Sequence, residues 1–225
     1  MVDDDMRVGL GTGSTVARLL PALAERELRG LACVATSPAT ARAARALGLA
    51  VHELDEVGEL DVAIDGADQI DPRGWLVKGG GAAHTREKIV AAAARRFVVI
   101  ASAEKAVTQL GPPVPLELVR FGMHSTLRAL GHAELRAAMP ADEADRASAE
   151  QSQLHGFQES PDGGVIADYL GAVRDPRELA ARLSATPGVV AHGLFPPEMV
   201  SLILIGGAKG VERRPGGKPE VAPAG

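Results

Sequence analysis

The stretch Met6-Arg7-Val8-Gly9-Leu10-Gly11-Thr12-Gly13-Ser14-Thr15-Val16 decides how the rest of the chain is read. Met6 to Leu10 is a short apolar run of strand character, three glycines fall at alternate positions, and a helical pattern then runs from Ser14 to Leu28, with Pro21 a point for a kink. A strand that turns through glycine straight into a helix is the first half of a βα unit. At such a turn the backbone amides and the Thr12, Ser14 and Thr15 hydroxyls point into one small volume, beside the partial positive charge of a helix N-terminus. A phosphate monoester is the expected occupant, held by Thr12, Gly13, Ser14 and Thr15 without a basic residue. A plain tight turn in which Ser14 or Thr15 caps the helix remains the bland alternative. Dinucleotide binding is disfavoured, because Ser14 stands where a third glycine would be needed and Thr36-Ser37 stand where a ribose-binding acid would end the second strand. No Walker lysine follows the glycines, so nucleoside triphosphate binding is disfavoured too.

Outward from this turn, the same rhythm repeats. Leu31 to Ala35, Ala50 to Leu54, Asp61 to Ile64 and Phe97 to Ala101 read as strands, and Ala39 to Leu47 and Ala82 to Arg96 as helices. The fold class is therefore α/β: a mostly parallel, Rossmann-like sheet with helices on both faces. After Gly111-Pro112-Pro113 the pattern changes to an edge strand at Val114 to Val119, a helix from His124 to Met139 and a polar stretch from Asp142 to Gln153. A strand at Gly164 to Leu170, a helix at Pro176 to Ala185 and a strand at Val189 to Leu194 follow, and Ser201 to Ile205 returns to the main sheet. The expected organisation is a main α/β unit of residues 1–122 and 193–212, a smaller α+β unit of residues 123–192, and a disordered Pro/Gly-rich tail from 213 to 225.

Composition excludes several classes. With 225 residues and a net charge of -5, the chain has a core-forming length and gives no electrostatic reason to expect nucleic acid or an anionic membrane as a partner, since both reward a basic face. Cys33 is the single cysteine, so no intrachain disulfide exists. Three acids at Asp3 to Asp5 replace the basic and apolar opening of an export signal, and no apolar run reaches spanning length, which makes the cytoplasm the expected location.

Two further loops carry chemistry. Asp65-Gly66-Ala67-Asp68-Gln69-Ile70-Asp71 follows an apolar strand, at the edge where open α/β sheets bind ligands; the Gly-Ala step leaves room for hydroxyls to reach Asp65 and Asp68. A solvated acidic turn is the alternative. Three acids at this spacing raise the question of a divalent ion, but the calcium-loop pattern is absent and none of the six histidines forms a metal-binding pair, so no metal is expected. Lys78-Gly79-Gly80-Gly81 places one of only five lysines beside three glycines, an arrangement that suits oxyanion stabilisation with close backbone approach. Glu87 then lies near the start of the next helix, either as a base aimed at the ligand or as an acid favoured by the helix dipole. Lys105, just past the Phe97 to Ala101 strand, is a second cation at the sheet edge or a surface lysine.

Taken in order, GLGTGST, DGADQID, KGGGAAHTREK and VIASAEK resemble the A-type ribose 5-phosphate isomerases, and Pro113 to Glu117, Asp162 to Gly164 and Thr186 to Phe195 extend the resemblance over most of the chain. The resemblance implies an aldose-ketose isomerisation of a pentose phosphate with no cofactor, with phosphate and sugar contacts at Thr12, Gly13, Ser14 and Thr15. It implies Glu87 as the base, Lys78 as the stabiliser of the enediolate, and Asp65, Gly66, Ala67, Asp68, Gly79, Gly80, Gly81 and Lys105 around the sugar, with Asp65 assisting ring opening. The family fold adds a small lid-like α+β unit and assembles as a homodimer or homotetramer. Three departures stand out: Gln69 where the family usually has Glu, His84 where Leu is usual, and a first strand that opens by Met6 where the family usually places a helix with a basic residue. A non-catalytic sugar-phosphate sensor is the alternative reading, but it gives no reason for Asp65, Lys78 and Glu87 to occur together; acyl-CoA transferase chemistry ranks lower still.

Overall fold

A computed structural model describes residues 1–138 and 156–218. Seven strands form the main sheet: β1 (Arg7–Leu10), β2 (Ala32–Ala35), β3 (Val51–His52), β4 (Leu60–Asp65), β7 (Ala94–Ser102), β13 (Leu202–Gly207) and β14 (Gly210–Pro215), in the order β14-β13-β7-β4-β1-β2-β3. All neighbours are parallel except β13 and β14. The chain steps from β1 to β2 and β3 on one side, then crosses back to β4 on the other. That reversal opens a crevice at the carboxyl ends of β1 and β4, where open α/β sheets bind ligands. Register puts Leu10 level with Ile64 and Asp65 level with Val99, so the loops after β1, β4 and β7 meet.

Apolar side chains alternate across this sheet. Val98 faces a core built with Val16, Leu20 and Leu23 of α1 (Ser14–Ala24) and Ala44 of α2 (Pro38–Ala46). Phe97, Val99 and Ala101 face the opposite side, against Val90 and Ala91 of α4 (His84–Ala93), with Leu54 and Val57 of α3 (Leu54–Val57) packed alongside. Gly9 faces α4: a Cβ there would lie 2.5 Å from Val90, so the helix presses against bare backbone. Ser37 accepts from the Thr40 amide at 3.2 Å and Pro38 occupies the first turn, which fixes the start of α2.

A second, antiparallel sheet has the order β11-β8-β10-β9, made of β8 (Val114–Leu118), β9 (Ala133–Leu135), β10 (Val165–Tyr169) and β11 (Val189–His192). It packs against α5 (Met123–Leu130) and α6 (Pro176–Ser184), and a small sheet of β5 (Gln69–Ile70), β6 (Leu76–Val77) and β12 (Leu194–Phe195) lies beside it.

Several expectations need correction. β8 is an interior strand, buried at all five positions, rather than an edge, and it belongs to the smaller sheet although the expected boundary lay at 122. Pro115 is tolerated there because the Gly193 carbonyl opposite its missing N–H accepts from the Lys78 amide at 2.8 Å instead, while the Pro115 carbonyl accepts from the Gly193 amide at 2.7 Å. The helix expected from His124 to Met139 stops at Leu130, where Gly131 takes a positive φ of 77°, and β9 follows. Helix α1 ends at Ala24 rather than Leu28, and α4 at Ala93 because Ala94 and Arg96 already pair with Leu60 and Val62. Arg213, Arg214 and Pro215, placed in a disordered tail by composition, pair with Leu204, Ile203 and Leu202. The polar stretch Asp142 to Gln153 and residues 219–225 lie outside the described residues.

Candidate active site

The crevice between β1 and β4 holds a cavity of about 120 Å³, lined by Thr12, Gly13, Ser14, Thr15, Gly66, Ala67, Asp68, Lys78, Gly79, Gly80, Gly81, Glu87 and Lys105. Four separate loops and one helix deliver these residues. The β1-α1 turn supplies the first four, with Gly13 at φ 102° just before the first helical residue. No side chain caps this helix and no acid lies in its first turn, so its leading amides are open to an anion. Behind the turn, Thr12 and Thr36 share a hydroxyl hydrogen bond of 2.8 Å, and Thr40 donates to the Gly11 carbonyl at 2.9 Å. Neither Thr36 nor Thr40 carries a sequence signal, because their role depends on β2 lying beside β1.

Lys78 is the centre of the cluster. Its Nζ lies 2.8 Å from Asp65 Oδ2 and 3.1 Å from Glu87 Oε2, and donates to the Gly66 carbonyl at 2.6 Å. Asp65, Lys78 and Glu87 are 2%, 3% and 3% exposed. Burial alone would strip the ammonium, but attraction from Asp65 and then Glu87 outweighs it and holds the Lys78 pKa above its ordinary value. Burial first, then repulsion from Asp65, pushes the Glu87 carboxyl up to about 7, against the pull of Lys78. Burial also pushes Asp65 up, opposed by Lys78 and the amides of Gly66 and Thr12. A carboxyl that titrates near neutrality beside a fixed ammonium is suited to taking and returning a proton.

Asp65 sits deeper than the sequence suggests. Its Oδ1 accepts from the Gly66 amide at 2.7 Å and the Thr12 amide at 3.1 Å while Oδ2 faces Lys78, so it supports the cavity from below instead of lining it. A Cβ on Gly11 would lie 1.9 Å from this carboxylate, which explains the middle glycine of the turn as a close approach. Asp68 does face the cavity, and its Oδ2 accepts from the Gly80 amide at 2.9 Å. Lys105 enters from the helical turn after β7.

The two departures at Gln69 and His84 have physical readings. Gln69 donates to the Gly111 carbonyl at 3.0 Å and accepts from the Gly111 amide at 2.8 Å, a reciprocal pair that a carboxylate cannot make. His84 is fully buried against Gly79, makes no hydrogen bond of ordinary geometry, and is pushed by burial to a pKa of about 3, so its ring is neutral.

A larger cavity of about 560 Å³ lies across α4, between β2, β8 and β11. Arg86 there is paired with Asp162 at 2.7 Å and the buried Glu117 accepts from Ser160 at 2.6 Å and from Thr85, so both are committed to partners. Among the described residues no group of three or more His, Cys, Asp and Glu side chains is placed to hold a metal ion, and no helix is long and apolar enough to cross a membrane.

Residues 32–210 match the family described as ribose 5-phosphate isomerase A, or phosphoriboisomerase A. The chain is 43% identical over 220 residues to ribose-5-phosphate isomerase A of Bradyrhizobium diazoefficiens, covering 95% of this chain and 91% of that one. It is 46% identical over 200 residues to the protein of the same name from Methylorubrum extorquens, covering 87% and 83%. Among solved structures, ribose 5-phosphate isomerase A of Methanocaldococcus jannaschii superposes with a TM-score of 0.84 at 32% identity, covering 96% of this chain and 93% of that one. A D-ribose-5-phosphate isomerase in complex with phospho-erythronic acid gives 0.85 at 31% identity with the same coverage.

Proposed function

The chain belongs to the ribose 5-phosphate isomerase A family and interconverts D-ribose 5-phosphate and D-ribulose 5-phosphate, a step of the pentose phosphate pathway, and we propose that Glu87 is the base that moves the proton. The observation that carries this assignment is the buried Lys78 held between Asp65 and Glu87 at the base of a cavity whose opposite wall is an anion-ready helix N-terminus.

In the proposed reaction the phosphate is held by the Thr12 to Thr15 turn, and the open-chain sugar extends toward Glu87. The C2–H bond breaks, its proton passes to the Glu87 carboxylate, and the electron pair forms the C1–C2 double bond of an enediolate whose O1 carries the developing charge. Lys78 stabilises that oxygen from a site with little water, where a fixed cation acts most strongly. Glu87 then returns the proton to C1 while the O2 hydroxyl proton transfers to O1, leaving the C2 ketone. Asp68 orients a hydroxyl, and Lys105 adds positive charge at the mouth. Asp65 acts by keeping Lys78 charged and in place, and supports ring opening through it. Each of these roles uses a group of this chain, and the carbonyl of the substrate already acidifies the carbon, so no cofactor or metal is invoked.

The test is conversion of ribose 5-phosphate in the presence of EDTA by the native chain and by Glu87→Gln. Full native activity with a loss of at least about a hundredfold in the variant is the expected result. Activity abolished by chelation, or a variant as fast as the native chain, would overturn the assignment. The same reading carries assembly as a homodimer or homotetramer and a cytoplasmic location; a purely monomeric mass in solution, or recovery outside the cytoplasmic fraction, would contradict these.

A further inference from the structure

Arg136 follows β9 in the smaller α+β unit and reaches into the active-site loop. Its Nε and Nη2 donate to the two Asp168 oxygens at 2.8 and 2.5 Å, a bidentate pair that fixes the guanidinium plane. The remaining Nη1 donates to the Gly79 carbonyl at 3.0 Å and the Gly80 carbonyl at 3.2 Å. Arg136 and Asp168 are only 17% and 18% exposed at their side chains, so the ion pair is largely withdrawn from solvent.

These two contacts set the direction of two peptide groups. The cis bond among the described residues lies elsewhere, at Pro112-Pro113, so the glycine-loop peptides are trans and each N–H points opposite to its carbonyl. With the Gly79 carbonyl on Arg136, the Gly80 N–H points to the other side, where it donates to Asp68 Oδ2 at 2.9 Å. The Gly80 carbonyl is also on Arg136, which fixes the second peptide of the loop, and a Cβ on Gly81 would lie 3.1 Å from the Thr12 methyl, so this backbone runs close against the β1-α1 turn. The guanidinium therefore fixes the orientation of both peptides, and with it the Gly80 N–H that holds Asp68 at the cavity wall. Glycines gain this function only if something selects one of their many conformations, and no side chain of the loop itself can do so.

We propose that Arg136, locked by Asp168, is a positioning residue for the isomerisation, acting through the Gly79 and Gly80 carbonyls to hold the glycine loop in its reactive conformation. The proposal rests on the isomerase reading, and it makes the smaller unit part of the catalytic apparatus. It predicts that Arg136→Ala lowers kcat/KM about 10- to 100-fold, the range expected for a displacement of about 1 Å at the site. Millimolar guanidinium chloride restores part of the loss by refilling the space. The Gly80 amide also exchanges its hydrogen at least about tenfold faster, because opening the loop no longer breaks the Arg136 contacts. Arg120→Ala, which removes the Arg120 to Glu159 ion pair in the same unit, serves as the control with unchanged kinetics. Native kinetics together with native Gly80 exchange in Arg136→Ala would overturn the proposal, as would a loss that guanidinium does not relieve. If Arg136→Ala does not fold, Asp168→Asn, which keeps the arginine but frees it from its anion, is read in the same way. Its kcat/KM falls several-fold if the proposal holds, and a native value overturns it. An inactive native chain would fail the isomerase reading instead, and Gly80 exchange would still decide the loop's dependence on Arg136.

Discussion

Replacing Gly11 by alanine tests how tightly catalysis depends on the placement of Asp65. The added Cβ would lie 1.9 Å from both Asp65 Cγ and Oδ1 and 2.5 Å from its Cβ. Ordinary carbon contacts need about 3.5 Å, so roughly 1.5 Å of relief must come from the carboxylate or the turn. The carboxylate then gives up the Thr12 amide and the 2.8 Å contact with Lys78, leaving that buried ammonium to Glu87 alone. Breaking a buried ion pair costs about 3–5 kcal/mol, which lowers the unfolding midpoint by roughly 10 °C at this chain length. A shift of this size at the reacting groups lowers kcat by about a hundredfold. Gly13→Ala separates the two kinds of effect: its Cβ would meet nothing within 4 Å, so its cost of about 1–3 kcal/mol comes from a φ of 102°, and the disturbed turn raises KM more than it lowers kcat. Steady-state ketose formation and thermal melts of both variants provide the readout. Native kcat and melting midpoint in Gly11→Ala would refute the idea that Asp65 must stay where it is.

Other expectations follow from the same geometry. Because the Glu87 carboxyl is held up to about 7 and must be ionised to act, kcat/KM should fall tenfold per pH unit below about 7, with a further bend near 6 from the substrate phosphate; a limb near 4.5 would contradict the burial argument. The same raised value means that the stabilising contribution of Glu87, present below about 4.5, is lost as pH rises through about 7, so Glu87→Gln should flatten the dependence of unfolding free energy on pH in that window. His84→Leu removes a buried ring without ordinary hydrogen bonds and should raise the melting midpoint by about 2–4 °C, for roughly 1 kcal/mol, with kcat within about twofold of native. Gln69→Glu loses the donor to the Gly111 carbonyl and places a carboxylate against it, lowering stability by about 1–3 kcal/mol in chemical denaturation.

Legibility in the sequence followed the range of the physics. The β1-α1 turn, the Asp65 loop and the Lys78 glycines announced themselves because turn geometry and strand-end placement are local, and the parallel rhythm of apolar runs then fixed the sheet around them. Buried position within a sheet is not local. Val114 to Leu118 looks like an edge because of its prolines, yet it lies between β10 and β11, a fact set by strands more than 45 residues away in sequence, an approximate separation visible in the pairing of Leu118 with Val165. Arg213 to Pro215 lack an apolar alternation because β14 is largely exposed, so composition pointed to disorder where pairing with β13 supplies the order. Arg136 gave no signal, since its partners Asp168, Gly79 and Gly80 lie 32, 57 and 56 positions away. The depth of Asp65 was equally hidden, because only the fold shows that Gly11 and Thr12 cover it.

The most direct test of the account follows the transferred proton itself, using ribose 5-phosphate deuterated at C2 and observing the product by NMR. If Glu87 is the single carrier, the native chain delivers part of the label to C1 of ribulose 5-phosphate and loses the rest to water, and Glu87→Gln turns over at below about 1% of the native rate. Near-native turnover by Glu87→Gln, or undiminished carriage of the label from C2 to C1 in that variant, would contradict it.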